Sequence, residues 1–247
     1  MFETDSLLLA ALILIAAILY AAVGHAGASG YLAAMALFGV APAVMRPTAL
    51  TLNILVALIA TWKFYRIGAF SWRIFVPLAA GSVPFAWLGG TLTPPAGIYK
   101  TLVGAVLICA ALMSLKRASQ PPADTLRAPP LALVLVAGAG LGLLSGLTGV
   151  GGGIFLSPLL LLMGWAEVRQ VSGIAAAFIL LNSIAGLAGV VRVAPALPEA
   201  LPLWAMAAVC GGLVGAELGS RRIGNTAIQR LLAVVLVIAG VKMIATA

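Results

Sequence analysis

A chain of 247 residues with 63% hydrophobic and 8% charged residues and a mean hydropathy of +1.19 lies far outside the soluble norm of roughly 45–50% apolar and about 25% charged. That composition excludes an ordinary soluble enzyme and predicts an integral membrane protein. The net charge of +8 sits in short loops between apolar runs, so it reads as membrane orientation rather than as nucleic-acid binding.

The start, MFETDS, is acidic where a secretory signal carries a basic region. The run behind it lacks a clear small-residue cleavage site, so a retained first helix is expected. At about 20 apolar residues per crossing, segments fall at 6–23, 30–42, 47–65, 72–90 and 97–115. A Pro-rich polar link, ASQPPADTLRAPP, occupies 118–130, and further segments follow at 131–146, 153–165, 170–191, 201–218 and 226–245. In each half the second segment is too short to span comfortably, and a Gly-rich break precedes it.

The halves also resemble each other in letters. Gly24-His25-Ala26-Gly27-Ala28-Ser29-Gly30 lines up with Gly146-Leu147-Thr148-Gly149-Val150-Gly151-Gly152. Further on, Gly81-Ser82-Val83 to Leu88-Gly89 lines up with Gly211-Gly212-Leu213 to Leu218-Gly219. The expected organisation is a first transmembrane repeat at 1–117, a cytoplasmic linker at 118–130 and a second repeat at 131–247. The fold class is all-α, a multi-pass helical bundle of about eight to ten segments with broken or re-entrant helices.

Loop charges orient the bundle. Lys63, Arg66, Arg73, Lys116, Arg117, Arg127, Arg169, Arg221, Arg222 and Arg230 fall on one set of links, predicted cytoplasmic by the positive-inside bias. Arg46, Lys100, Arg192 and Lys242 fall on the other. Both termini are then outside a cell inner membrane. An odd number of crossings per half turns the second half upside down, and inverted halves with corresponding broken helices are a signature of secondary transporters.

The stretch SGLTGVGGG, 145–153, carries the chemistry. Inside hydrocarbon, non-helical backbone survives only where protein covers it or where it lines a wet cavity. A break that opens a helix frees N–H groups at the positive end of the helix dipole, which makes an anion site without a charged side chain. Gly149, Gly151, Gly152 and Gly153 are therefore candidate substrate-binding residues, with Ser145 and Thr148 beside them and Gly27 and Ser29 at the first break. Asn53 and Asn182, one in the long third segment of each half, offer amide donors. Back-bonding to helix carbonyls is the bland reading of the hydroxyls, and interhelical bridging that of the amides. Pairs at spacing four, Gly138 with Gly142 and Gly211 with Gly215, read instead as close helix packing. His25, the single histidine, is the candidate for proton coupling, with a neutral, backbone-bonded imidazole as its alternative.

The remaining polar and aromatic positions have bland readings. Trp62, Lys63, Trp72 and Arg73 suit an interfacial belt; Glu217 is placed to pair with Arg221; Arg46 suits either an anion-attracting mouth or a snorkelling anchor. Cys109 and Cys210 read as inert core residues. No carboxylate pair or Cys/His cluster points to a metal, and no cofactor is called for. The partners expected are a small anionic substrate and the lipid bilayer, without nucleic acid; a homodimer stays open. Gly27-Ala28-Ser29-Gly30 fits the G-x-S-G string of intramembrane serine proteases, but the histidine four residues away is poorly placed as a base. An enzyme of that kind and a non-transporting membrane subunit are the alternatives.

At GLTGVGGGIFLSPLLLLMG followed by QVSGIAAAFILLNSIAG, with the weaker counterpart GHAGASGYLAAMALFGV followed by RPTALTLNILVALIATWKF, the chain resembles the TauE/SafE sulfite exporter family over nearly its whole length. The resemblance implies movement of small sulfur-containing anions such as sulfite, sulfoacetate or other organosulfonates. The first half departs from the Gly-rich pattern, with His25, Ser29 and Tyr31 standing where the second half has Leu147, Gly151 and Gly153. Unequal roles for the two breaks follow from that difference.

Overall fold

The computed structural model describes residues 3–118, 126–192, 197–221, 236–238 and 240–247. Most of the central link, most of the segment expected at 226–245, and Arg222 and Arg230 lie outside the described residues. Among the described residues the chain is entirely helical: α1 (Glu3–Ala21), α2 (Ala28–Leu37), α3 (Pro42–Arg66), α4 (Trp72–Thr91), α5 (Ala96–Ala118), α6 (Leu131–Thr148), α7 (Gly153–Leu162), α8 (Val168–Val190) and α9 (Leu201–Arg221). A further apolar stretch runs at Leu236–Ala245. Seven helices, α1, α3, α4, α5, α6, α8 and α9, are long and apolar enough to cross a membrane, whereas α2 and α7 have 10 residues each. At 1.5 Å per residue, 10 residues reach about 15 Å, half the hydrocarbon thickness. This is a multi-pass helical membrane protein.

The α3 boundary differs from the sequence expectation, which placed it at 47. Pro42 opens the helix, where a missing N–H costs nothing. Pro47 is accommodated inside it, and Thr51 Oγ1 donates to the Pro47 carbonyl at 2.8 Å.

Helices α3 and α8 form the centre. Of their spanning residues 61% and 67% are buried, against 33% for α6 and α9, which face outward. Helix α4 packs on α6 and on α8, while α9 packs on α1 and on α3. Helix α2 lies against α3, and α7 against α8.

Glycine decides how closely the outer helices approach. Along α6, Gly138, Gly142 and Gly146 lie against the carbonyls of Leu78, Ser82 and Ala86 on α4. Gly81 and Gly89 of α4 reciprocate onto Leu135 and Leu143. Along α9, Gly211 and Gly215 meet the carbonyls of Leu14 and Ile18 on α1, and Gly219 that of Ala22 just past its end. Lipid tails are as apolar as leucine, so helices in a bilayer associate through backbone-to-backbone packing that only small residues allow. The spacing-four pairs read from sequence as packing elements occupy these contacts.

One end of the bundle carries the Tyr65, Phe70, Trp72 and Phe75 rings in edge-on contacts, Phe70 and Trp72 with centroids 4.9 Å apart. Trp62 and Trp72 are 60% and 58% exposed, as an interfacial belt requires. At the same end Lys63 of α3 forms an ion pair with Glu217 of α9. Glu217 thus reaches across to another helix, a partner that spacing along α9 did not suggest. Cys109 and Cys210, read from sequence as core, are both exposed on the bundle surface; hydropathy within a spanning helix does not separate the protein-facing side from the lipid-facing side.

Two stability outcomes follow. A Cβ at Gly138 would lie 2.6 Å from the Leu78 carbonyl oxygen, whereas one at Gly140 meets nothing within 4 Å. Gly138→Leu should therefore destabilise by about 1–3 kcal/mol in detergent thermal unfolding, and Gly140→Leu should not. A double-mutant cycle on Lys63 and Glu217, each about a third exposed, should return less than about 1 kcal/mol of coupling.

Candidate functional site

The chain leaves α6 and enters α7 through backbone that only glycine adopts without strain. Gly149, Gly151 and Gly152 have φ of 81°, 82° and 75°, a left-handed region that costs a residue with a Cβ roughly 1–2 kcal/mol. This sequence of turns stops one helix and starts another within four residues. No side chain caps α7. The Val150 N–H donates to Thr148 Oγ1 at 3.3 Å. The N–H groups of Gly151, Gly152, Gly153 and Ile154 meet no acceptor among the described residues. They form the positive end of the α7 dipole.

Three helices close around this break. A Cβ on Gly151 would sit 2.7 Å from Asn53 Nδ2 on α3 and 3.5 Å from Ser183 Oγ on α8. One on Gly152 would sit 3.0 Å from the Phe178 ring and 3.6 Å from Ser145 Cβ on α6, and one on Gly153 would collide with Ile179. Conformation and packing therefore both demand glycine here. Asn53 Nδ2 donates to Ser183 Oγ at 3.4 Å, and Asn182 Nδ2 to the Phe178 carbonyl at 2.8 Å.

Asn53, Ser145, Asn182 and Ser183 are wholly buried. Asn53 Oδ1 and Ser145 Oγ, on either side of the break, nevertheless have no partner, nor do Asn182 Oδ1 on α8 and Thr48 Oγ1 on α3. A buried polar atom left unpaired costs about 1–3 kcal/mol. Turning an asparagine amide over exchanges its oxygen for its nitrogen without filling the vacancy.

The two breaks touch through His25. Its Nε2 lies 3.1 Å from the Gly153 carbonyl and 3.0 Å from Ser157 Oγ of α7, while Nδ1 lies 3.1 Å from the Val23 carbonyl. A neutral ring satisfies this by donating from Nδ1 to Val23 and accepting at Nε2 from Ser157. A protonated ring satisfies it by donating from both nitrogens, to Val23 and to Gly153.

The predicted residues divide. Gly151, Gly152 and Gly153 gather with Ser145, Asn53 and, through His25, the first break. Thr148 is already committed, donating to the Leu144 carbonyl at 2.6 Å and accepting from Val150. Ser29 donates to Tyr20 Oη at 2.8 Å. Gly27, with φ 104°, lies under the Tyr31 ring, whose hydroxyl donates to the Ala26 carbonyl. Two tyrosines thus fill the first break where the second is lined by small polar groups. Ser157 and Ser183 escaped the sequence reading; Ser183 follows Asn182 in the quoted Asn-Ser pair, and the helical turn that aims it at Asn53 is its only signal.

Arg46 is not an anchor reaching for water. It is 6% exposed, and its guanidinium donates to the Leu92 carbonyl at 2.7 Å, the Gly89 carbonyl at 2.8 Å and the Gly90 carbonyl, all at the end of α4. Carbonyls left unpaired at a helix C-terminus draw a cation inward. On its other side Arg46 abuts the break, since a Cβ on Gly149 would lie 3.3 Å from Arg46 Cγ. Tyr99 of α5 donates to the Thr148 carbonyl at 3.0 Å. Both side chains line a cavity of about 270 Å³.

The comparisons with known proteins agree with one another. Residues 9–243 match the sequence profile of the family described as Sulfite exporter TauE/SafE. The chain is 39% identical over 245 residues, covering 98% of its own length and 99% of the relative, to a protein of Sinorhizobium fredii (strain NBRC 101917 / NGR234) named "Probable membrane transporter protein y4hK". No solved structure matches it. With the family profile spanning almost the whole chain, the protein belongs to the TauE/SafE sulfite exporter family.

Proposed function

We propose that this membrane transporter carries a small sulfur-containing anion, such as sulfite, sulfoacetate or a related organosulfonate, across the inner membrane by alternating access. One observation carries the reading: four unpaired backbone N–H groups open α7 beside the buried, unpaired hydroxyl of Ser145. An oxyanion satisfies such donors, and with no charged side chain among them it is released again. The family's description supports the sulfur class of the cargo.

The two halves, 1–117 and 131–247, act as inverted repeats. Helix contacts that recur with the halves exchanged support this: α4 on α6 as α9 on α1, α4 on α8 as α9 on α3, and α2 on α3 as α7 on α8. Rocking one half against the other opens the break to each side in turn. The end with Lys63 and Arg66 faces the cytoplasm, and both termini face outside. Protonation of His25 exchanges its Ser157 contact for a donated bond to Gly153, tying proton uptake to the position of α7. The protease alternative needed His25 beside Ser29, and Ser29 is instead engaged with Tyr20.

Thermal unfolding of the purified protein with sulfite, sulfoacetate, sulfate or chloride tests the site. A ligand selective for the folded state adds about 2.7 kcal/mol at a hundred times its Kd. An oxygenated sulfur anion should stabilise the wild type, and Gly152→Leu and Asn53→Ala should lose that stabilisation while still melting cooperatively. If no sulfur anion shifts the wild type, the substrate reading falls. In proteoliposomes, His25→Gln should retain anion movement and lose its response to an imposed pH gradient; an unchanged response removes His25 from the coupling.

A further inference from the structure

We propose a second anion site, in the cavity lined by Arg46, Pro47, Pro94, Ala96, Tyr99 and Val190, where Arg46 holds a small oxyanion before it reaches the Gly-rich break. The inference deepens the anion-transport reading and rests on it for its purpose, while its chemistry stands on Arg46 alone. Three carbonyls satisfy N–H donors of the guanidinium but carry no net charge to neutralise it. The partners of the guanidinium among the described residues are these carbonyls, with no carboxylate in ion-pair reach to balance it. A buried cation without a counter-ion is costly inside a membrane protein. Arg46 Nε, fully buried, also lacks an acceptor. Tyr99, whose hydroxyl donates to the Thr148 carbonyl, is neutral and brings no charge to balance the guanidinium. What remains to balance the charge is a mobile anion in the adjoining space. That cavity, about 270 Å³, holds about nine waters at roughly 30 Å³ each, room for a sulfite-sized ion with part of its hydration shell.

Position makes the site a waiting room for the break. Arg46 faces the cavity on one side and touches Gly149 on the other. At the first break a Cβ on Gly24 would instead meet Ser172 of α8, a neutral residue, at 2.5 Å.

The test measures anion-dependent thermal stabilisation with sulfite and with bromide for the wild type, Arg46→Gln, Arg46→Lys and Ala96→Glu. Arg46→Gln should weaken the apparent affinity about tenfold or more, the scale of a charge-assisted hydrogen bond, and Arg46→Lys less. Ala96→Glu leaves the Arg46 bonds to α4 intact and supplies a carboxylate in the cavity wall. It should fold normally and compete the anion away, with Ala96→Gln behaving as wild type. Anion dependence unchanged in Arg46→Gln or in Ala96→Glu overturns the proposal, as does a wild type that responds to neither anion. If bromide and sulfite bind through Arg46 yet proteoliposomes move no sulfur anion, the transport reading fails and the anion site stands.

Discussion

Every part of this structure answers one constraint: a backbone N–H or C=O inside hydrocarbon has no water to turn to. Seven long helices satisfy it internally. The α6–α7 break does not, because Gly149, Gly151 and Gly152 turn the chain out of helical geometry where the bundle is most buried. The architecture is arranged to shield that exception. Helices α3 and α8, the most buried of the spanning set, lie against it, and both bring polar side chains to backbone that carries none.

Glycine has two separate uses here, and they act in sequence. On α6, glycines at spacing four let α4 come so close that the two backbones touch. The same helix then ends in glycines whose role is conformational, with positive φ and no cap on the next helix. Close packing removes lipid from around the break, and the break supplies unpaired donors to the interior. One without the other gives either a tight but inert helix pair or an exposed defect.

Charge is distributed by the same logic. Lys63 and Glu217 sit at a bundle end, each about a third exposed, where water moderates both the gain and the cost of pairing. Arg46 is almost fully enclosed and leans on the carbonyl end of α4. Those carbonyls satisfy its geometry and leave its charge. His25 hydrogen-bonds both its own break and the start of α7. Its ring can be satisfied neutral or protonated with the same neighbours, Val23, Gly153 and Ser157.

Composition and spacing alone determined that the chain spans a membrane in helices, that two short segments follow Gly-rich breaks, and that the glycines spaced by four are for packing. These properties are local: hydropathy over about 20 residues, a run of residues that cannot continue a helix, a repeat along one face. Tertiary structure decided what each break meets. Nothing in the letters distinguishes Ser145, which is buried and unpaired, from Thr148 three residues on, which is spent on its own helix. Sequence left Arg46 open between an anion-attracting mouth and a snorkelling anchor, and α4, more than 40 residues away in the chain, ends where it can hold that charge inside the bundle. Cys109 and Cys210 looked internal because apolar runs in a membrane helix face lipid and protein alike. Burial in a bilayer protein is set by which neighbour a helix face receives, and that is a property of the assembled bundle.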